Sequence, residues 1–168
     1  AYLPDGVEWL QRPIFLDDKY CTGRAIYEEF VKTVDADVYI LCHATAPFTT
    51  TAHIKECINA VQSGKYSSAF AGQKLQTFFW KDGKPFNFDL GNPPRTQDME
   101  PFYIENPSPY VFTKELFARL HARSGMNPYI VECDAVECVD VDAADDFELA
   151  DAIYGFIKNK KGDQMNER

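Results

Sequence analysis

No stretch of this 168-residue chain approaches the ~18 consecutive apolar residues that a membrane-crossing helix requires. No signal peptide precedes its first elements either, so a cytoplasmic protein without a membrane partner is expected. Positive charge is scarce. The 17 Lys and Arg against 26 Asp and Glu leave a net charge of −9, which repels polyanions and argues against nucleic acid as a partner. Cysteine is few and irregular. Cys21, Cys42, Cys57, Cys133 and Cys138 are odd in number, contain no C-x-x-C and lie mostly in apolar contexts, which argues against a disulfide framework. "CDAVEC" reads as two inward-facing strand residues rather than a zinc half-site. His53 and His121 fall on helical stretches without a second ligand at metal spacing, and His43 flanks a turn. Internal repeats, low-complexity tracts and interdomain linkers are absent, so a single domain over 1–168 is expected. The chain also lacks an initiator Met and opens on "AYLPDGVEWLQRPIFL" without a recognisable first strand, the mark of an N-terminally incomplete domain.

What is present is enough for a full core: 45% hydrophobic residues, with 13 Phe and 9 Tyr. "GRAIYEEFVKTV" (Gly23–Val34) sets Ile26, Phe30 and Val34 at helical spacing with Glu28 and Glu29 turned away. "ADVYILCHA" (Ala36–Ala44) is a short apolar, β-branched run that predicts a central parallel strand covered on both faces. The next segment offers Thr hydroxyls as helix caps, then Ile54, Cys57, Ile58 and Val61 on one face, then Gly64 as a stop. "QTFFWKDGKPFNF" holds two aromatic segments around Asp82-Gly83 and predicts a projecting hairpin over approximately 74–90. "FYIENPSPYVFTKELFARLHAR" reads as a strand interrupted by proline, then a helix, and "PYIVECDAVECVDVD" as a further extended region. Strand–helix alternation with an inserted hairpin predicts a three-layer α/β/α domain with a mostly parallel sheet. Ligands of such sheets sit beyond the carboxyl ends of the strands, which directs attention to "HATAPFTT" and "DVDAADD".

The second of these segments concentrates acid. If Cys138–Asp142 is extended, Asp140 and Asp142 share one face while Val139 and Val141 occupy the other. Two carboxylates so placed are either solvated at a strand end or bridged by a cation, and Mg²⁺ with phosphate oxygens and water suits the geometry. Asp145, Asp146 and Glu148 instead open a helix bearing Phe147, Ala150, Ile153, Tyr154 and Ile157, where negative charge favours the helix dipole. Lys158, Lys160 and Lys161 stand at its other end.

Taken together, "LCHATAPFTTTAHIKECINAV", "RTQDMEPFYIENPSPYVF" and "CVDVDAADDFELADAI" resemble, in order and spacing, the acylneuraminate cytidylyltransferase (CMP-sialic acid synthetase) family from Arg12 onward. The resemblance implies a nucleotidyltransferase fold of the nucleotide-diphospho-sugar transferase kind. It also implies transfer of CMP from CTP to a nine-carbon keto-acid sugar with release of pyrophosphate, assisted by Mg²⁺. By the same resemblance Asp140 and Asp142 hold the metal and serve catalysis. Arg12 and the turn Ala44, Thr45, Ala46 meet the nucleotide; Arg95, Gln97, Asn106 and Tyr110 surround the sugar. Arg95 has the fork that pairs with a carboxylate, and the others offer donors and acceptors for hydroxyls and amides.

Several positions depart from the family pattern: Ala46, Thr49, Thr96 in "RTQD", and "NPSPY" where the family has Asn-Gly-Ala. The family's opening strand and its Gly-, Arg- and Lys-rich phosphate loop find no match in the chain. The alternatives are therefore a truncated, inactive sugar-binding or assembly protein of the same fold, or a nucleotidyltransferase acting on a sugar phosphate. The aromatic hairpin carries more apolar surface than a lone ribbon can bury, which predicts a homodimer through that arm; the resemblance implies the same.

Overall fold

In a computed structural model the structure describes residues 4–166, with side chains through 160. Helix α1 (Gly23–Thr33) leads to strand β1 (Val38–Leu41), helix α2 (Thr51–Gln62) and strand β2 (Ser68–Leu75). Short strands β3 (Trp80–Lys81) and β4 (Lys84–Pro85) follow, then β5 (Phe102–Thr113), α3 (Lys114–Leu120), β6 (Tyr129–Cys133) and α4 (Ala144–Asn166). The main sheet has the order β1-β5-β2-β6. β2 and β6 pair in parallel, while β5 runs antiparallel to both β1 and β2, so three of the four strands share one direction.

The layers follow from alternation along these strands. Val111 of β5 and Ala69 of β2 face Cys57 and Val61 of α2, with Val131 of β6 completing that core. On the opposite face Tyr39, Phe112, Leu116 and Phe117 pack with Tyr27 and Val31 of α1. Tyr39 stacks on Phe112 at 5.6 Å between centroids, and Tyr27 meets Phe117 edge-on at 6.0 Å. Burying side chains of this size contributes about 1.5–3 kcal/mol each.

Three local expectations change. β1 is an edge strand of the described sheet, not a central one. Its apolar run does reflect burial on two faces, with Val38 on one core and Tyr39 and Leu41 on the other, but position in the sheet is set by pairing. The interior strands are β5 and β2, and β5 is the proline-interrupted strand that the sequence predicts. In the ladder Phe70 pairs with Tyr110 and Gly72 with Glu105, so Asn106, Pro107, Ser108 and Pro109 stand opposite Ala71 alone. Two prolines without N–H groups cannot continue the ladder, and the strand bulges there. The close approach explains Gly72, where a Cβ would lie 3.1 Å from the Ile104 carbonyl oxygen.

Helix α1 inserts Tyr27 and Val31 into the core, whereas Ile26 and Phe30 are exposed; the inward face lies one residue beyond the predicted one. β6 ends at Cys133, because Asp134 Oδ1 accepts hydrogen bonds from Val136 N and Glu137 N, both at 3.0 Å. Cys138 to Asp142 are therefore not a strand, and strand alternation does not orient the two acids.

A hairpin forms about the predicted Asp82-Gly83 turn, with a ladder limited to Trp80–Lys81 and Lys84–Pro85. Asp82 and Gly83 both have positive φ, 52° and 71°, as a two-residue turn of this type requires. Phe79 and Phe86 pack on Phe102 of β5 at 5.0 and 6.0 Å, and Phe78 meets Phe88 at 4.5 Å. One face of the ribbon thus docks on its own sheet, while Trp80 remains exposed. Among the described residues no helix is long and apolar enough to cross a membrane. Of the basic residues expected at the end of α4, Lys161 lies outside the described side chains.

Candidate active site

The carboxyl ends of β1, β2 and β6 open on one side of the sheet, and two loops meet there. After β1 the chain turns at His43–Ala46, where Ala46 N donates to the His43 carbonyl at 3.2 Å. Thr50 then caps α2 by accepting from His53 N at 3.3 Å. After β6 the Asp134 turn leads to Val141, whose N–H donates to the Thr45 carbonyl at 2.9 Å. Two segments distant in sequence, "HATAP" and "CVDVD", are joined by that bond. Glu137 fixes the same junction from below: it is only 5% exposed, Oε1 accepts from Thr50 N at 2.7 Å, and Oε2 touches His53 Nδ1.

Asp140 and Asp142 stand on this junction in different surroundings. Asp140 is half-buried, and its Oδ1 is buried without a hydrogen-bond partner; Asp142 is exposed. An unpartnered buried carboxylate oxygen is costly unless something satisfies it, and a hard divalent cation is one group that would. No cluster of three or more His, Cys, Asp or Glu residues suited to a metal occurs among the described residues. A cation held by Asp140 and Asp142 would thus take its remaining ligands from outside the chain, as Mg²⁺ does with phosphates and water. Asp146 serves the helix: its Oδ2 accepts from Asp142 N at 3.1 Å and Ala143 N at 2.8 Å, the reach-back half of a capping box.

Across the opening lies the β5 bulge. Asn106 is fully buried; its Nδ2 donates to Cys133 Sγ at 3.7 Å, and its Oδ1 has no partner. Tyr110 is 1% exposed. Its hydroxyl donates to Glu105 Oε2 at 2.8 Å and accepts from Arg123 Nη2 at 2.9 Å, and the guanidinium lies 3.7 Å from the ring centroid. Burial, and then the bond to Glu105, push the Tyr110 hydroxyl well above the usual phenol range. Tyr110 thus lies beneath Arg123, with its hydroxyl already engaged as both donor and acceptor.

The remaining candidates are dispersed. Arg95 begins a short 3-10 turn, Thr96–Asp98, with its side chain 74% exposed and 3.8 Å from Asp98. Gln97 is exposed too; its carbonyl accepts from Gln76 Nε2 at 3.1 Å, and the same amide reaches the Met99 carbonyl at 2.7 Å, so the loop is tied to the end of β2. Arg12 donates to Asp17 Oδ1 at 2.7 Å. It lines a separate concavity of about 660 Å³ against Ile26 and Phe30 of α1, with Trp9 and Leu10.

Sequence reading missed Glu137, Arg123 and Glu105. Glu137 carried a faint signal, an acid between two cysteines in an apolar stretch. Arg123 carried none, since its role arises from the return of the chain after α3.

Fold comparison finds the same architecture among solved structures. Two solved cytidylyltransferases share the architecture. 4-Diphosphocytidyl-2C-methyl-D-erythritol synthase from Anaerococcus prevotii has a TM-score of 0.59 at 14% identity, over 80% of this chain and 67% of that one. 2-C-methyl-D-erythritol 4-phosphate cytidylyltransferase from Thermus thermophilus has a TM-score of 0.56 at 15% identity, over 91% and 76%. The mixed α/β fold with a mostly parallel sheet is therefore the one these cytidylyltransferases use. At the level of sequence, 102 residues are 29% identical to the N-acylneuraminate cytidylyltransferase of Oncorhynchus mykiss. The match covers 55% of this chain and 23% of that relative, so the chain spans about a quarter of that relative's length. No protein-family model matches the chain.

Proposed function

We propose that the protein is a cytidylyltransferase that joins CMP from CTP to a nine-carbon keto-acid sugar and releases pyrophosphate. The observation that carries this reading is the Val141–Thr45 hydrogen bond, which sets the acidic pair beside the turn that the family resemblance gives to the nucleotide. The similarity to an N-acylneuraminate cytidylyltransferase supports the sugar class.

In this reading Asp140 and Asp142 hold Mg²⁺, which supplies neutralisation of the charge that develops on the phosphate oxygens when the α-phosphorus is attacked. The Ala44–Ala46 turn positions the nucleotide, whereas Arg12, paired with Asp17 in a separate concavity, stands apart from it. The unpartnered Oδ1 of Asn106 accepts from a sugar hydroxyl or amide, and Arg95 pairs with the sugar carboxylate from its exposed turn. Gln97 completes the sugar side, and Tyr110, buried beneath Arg123, supports it from within. Catalysis then rests on alignment and electrostatics, with no covalent nucleophile required. The protein works in the cytoplasm as a homodimer, with the exposed Trp80 and Phe86 of the hairpin covered by the second copy.

A second reading has its own support. Both solved neighbours are enzymes of the erythritol series, one named for the sugar phosphate 2-C-methyl-D-erythritol 4-phosphate, so a sugar phosphate is the competing acceptor. Pyrophosphate release by the natural full-length protein with CTP and Mg²⁺ separates the readings. Turnover with an N-acylneuraminate is expected. Turnover with a sugar phosphate alone would favour the second reading, and sugar binding without turnover would make the protein an inactive binding or assembly protein.

A further inference from the structure

We propose that Cys133 and Cys138 form an oxidant-sensitive thiol pair that closes to an intramolecular disulfide when a hydroperoxide reaches the carboxyl end of β6. Their sulfurs lie 3.5 Å apart, near contact and short of a bond. The turn between them is already organised, because Asp134 accepts from both Val136 N and Glu137 N. Closing so short and fixed a loop costs little further chain entropy. No other pair of sulfurs lies within such contact: Cys57 of α2 is buried in the core, Cys42 is exposed, and Cys21 is half-buried.

The two thiols differ in access. Cys138 is half-buried and Cys133 is buried, so Cys138 meets the oxidant first. Its sulfur attacks one peroxide oxygen, the O–O bond breaks, and a sulfenic acid and water form. The Cys133 sulfur then attacks the sulfenic sulfur, the S–S bond forms, and the hydroxyl leaves as a second water. Two thiols and one hydrogen peroxide thus give one disulfide and two waters. Partial burial of Cys138 limits access of the oxidant in the first step, whereas the 3.5 Å separation of the sulfurs favours the second.

The location gives the event a consequence. Cys133 Sγ accepts from Asn106 Nδ2, Glu137 lies inside the closed loop, and Asp140 follows Cys138 by two residues. Oxidation would pin the segment that carries Asp140 to the end of β6; an effect on the reaction rests on the proposed function, but disulfide formation does not.

The test uses the full chain in a Cys42→Ser background, which removes the exposed thiol that would cross-link molecules. The folded protein is treated with excess hydrogen peroxide, denatured, alkylated with N-ethylmaleimide and digested with trypsin. Both cysteines fall in one tryptic peptide, Ser124–Lys158. Expected is that peptide without alkylation and lighter by two hydrogens, regaining two alkylation sites after dithiothreitol. Cys133→Ser should abolish this species and leave Cys138 as its sulfenic or sulfinic acid. Two alkylated thiols after a dose that oxidises Cys42 in the unsubstituted chain would overturn the proposal. So would a sulfinic Cys138 beside an alkylated Cys133.

Discussion

Helices α2 and α4 both leave the carboxyl end of a strand through a loop, and both begin with a side-chain oxygen bound to backbone N–H groups. Their fates differ. α2 lays Cys57 and Val61 against three strands, whereas α4 buries only Ala150 among its described side chains and exposes Phe147, Leu149, Tyr154 and Phe156. The cause is visible in the spacing: α2 places Ile54, Cys57, Ile58 and Val61 on one stripe, while α4 scatters apolar residues around its circumference. Between the two helices runs an open groove of about 870 Å³, lined by Phe48, His53, Glu137, Phe147 and Tyr154. One helix is held along its length by the core, and the other chiefly at its start.

Placing a carboxylate on each helix gives the largest contrast. Val61→Asp buries an unpaired charge beneath the sheet and is expected to cost more than about 4 kcal/mol, enough to prevent folding of a marginal domain. Tyr154→Asp adds charge to an exposed position and should shift stability by no more than ~0.5 kcal/mol. Urea denaturation of the two variants measures both, and equal losses would mean that α4 is packed as firmly as α2.

The junction between the helices provides the next effect. In the natural full-length protein, Asp140→Ala should slow pyrophosphate release by about a hundredfold or more while changing stability by less than ~1 kcal/mol. The asymmetry arises because Oδ1 of Asp140 has no protein partner to lose. Asp146→Ala, four residues beyond the exposed Asp142, should leave the rate within about threefold of the parent, since its carboxylate serves the helix start. Similar rates for both variants would remove the distinction between the acids.

Much of this was legible in the chain because local rules and the tertiary outcome agree. The α2 stripe, its Thr50 cap and the Asp82-Gly83 turn are short-range signals, and each forms as predicted. The three-layer fold followed from their alternation. What misled was any inference that needed a pairing partner. The β1 run announced burial on both faces but not its place at the edge of the sheet, and the prolines of "NPSP" marked a break in β5 without showing that this strand runs through the interior beside β2. The acidic pair was visible, yet its orientation was not, because the Asp134 turn ends β6 before reaching it. Arg123 and Glu137 act through residues far away in sequence, and only the folded chain brings them together.

Glu137 lies below both helices and supports α2 directly. Glu137→Ala would leave Thr50 N without its acceptor and His53 without its contact, at an expected cost of about 1–3 kcal/mol. Glu137→Gln keeps an oxygen for Thr50 N and should recover part of that loss. Thermal unfolding of the pair reads the difference, and identical midpoints would mean that the carboxylate contributes only volume.

The smallest predicted effect separates the two helix starts themselves. Thr50→Ala removes the bond to His53 N from a helix packed on the core, so its loss of about 1 kcal/mol should appear as a shift of the whole unfolding transition. Asp146→Ala removes two backbone bonds from a helix with little buried side chain. Because α4 has few tertiary contacts to transmit the loss, its effect of about 1 kcal/mol should stay local and appear as faster amide exchange at Asp142 and Ala143 with an unchanged global midpoint. A global shift with Asp146→Ala would show that α4 unfolds together with the sheet despite its exposed apolar side chains.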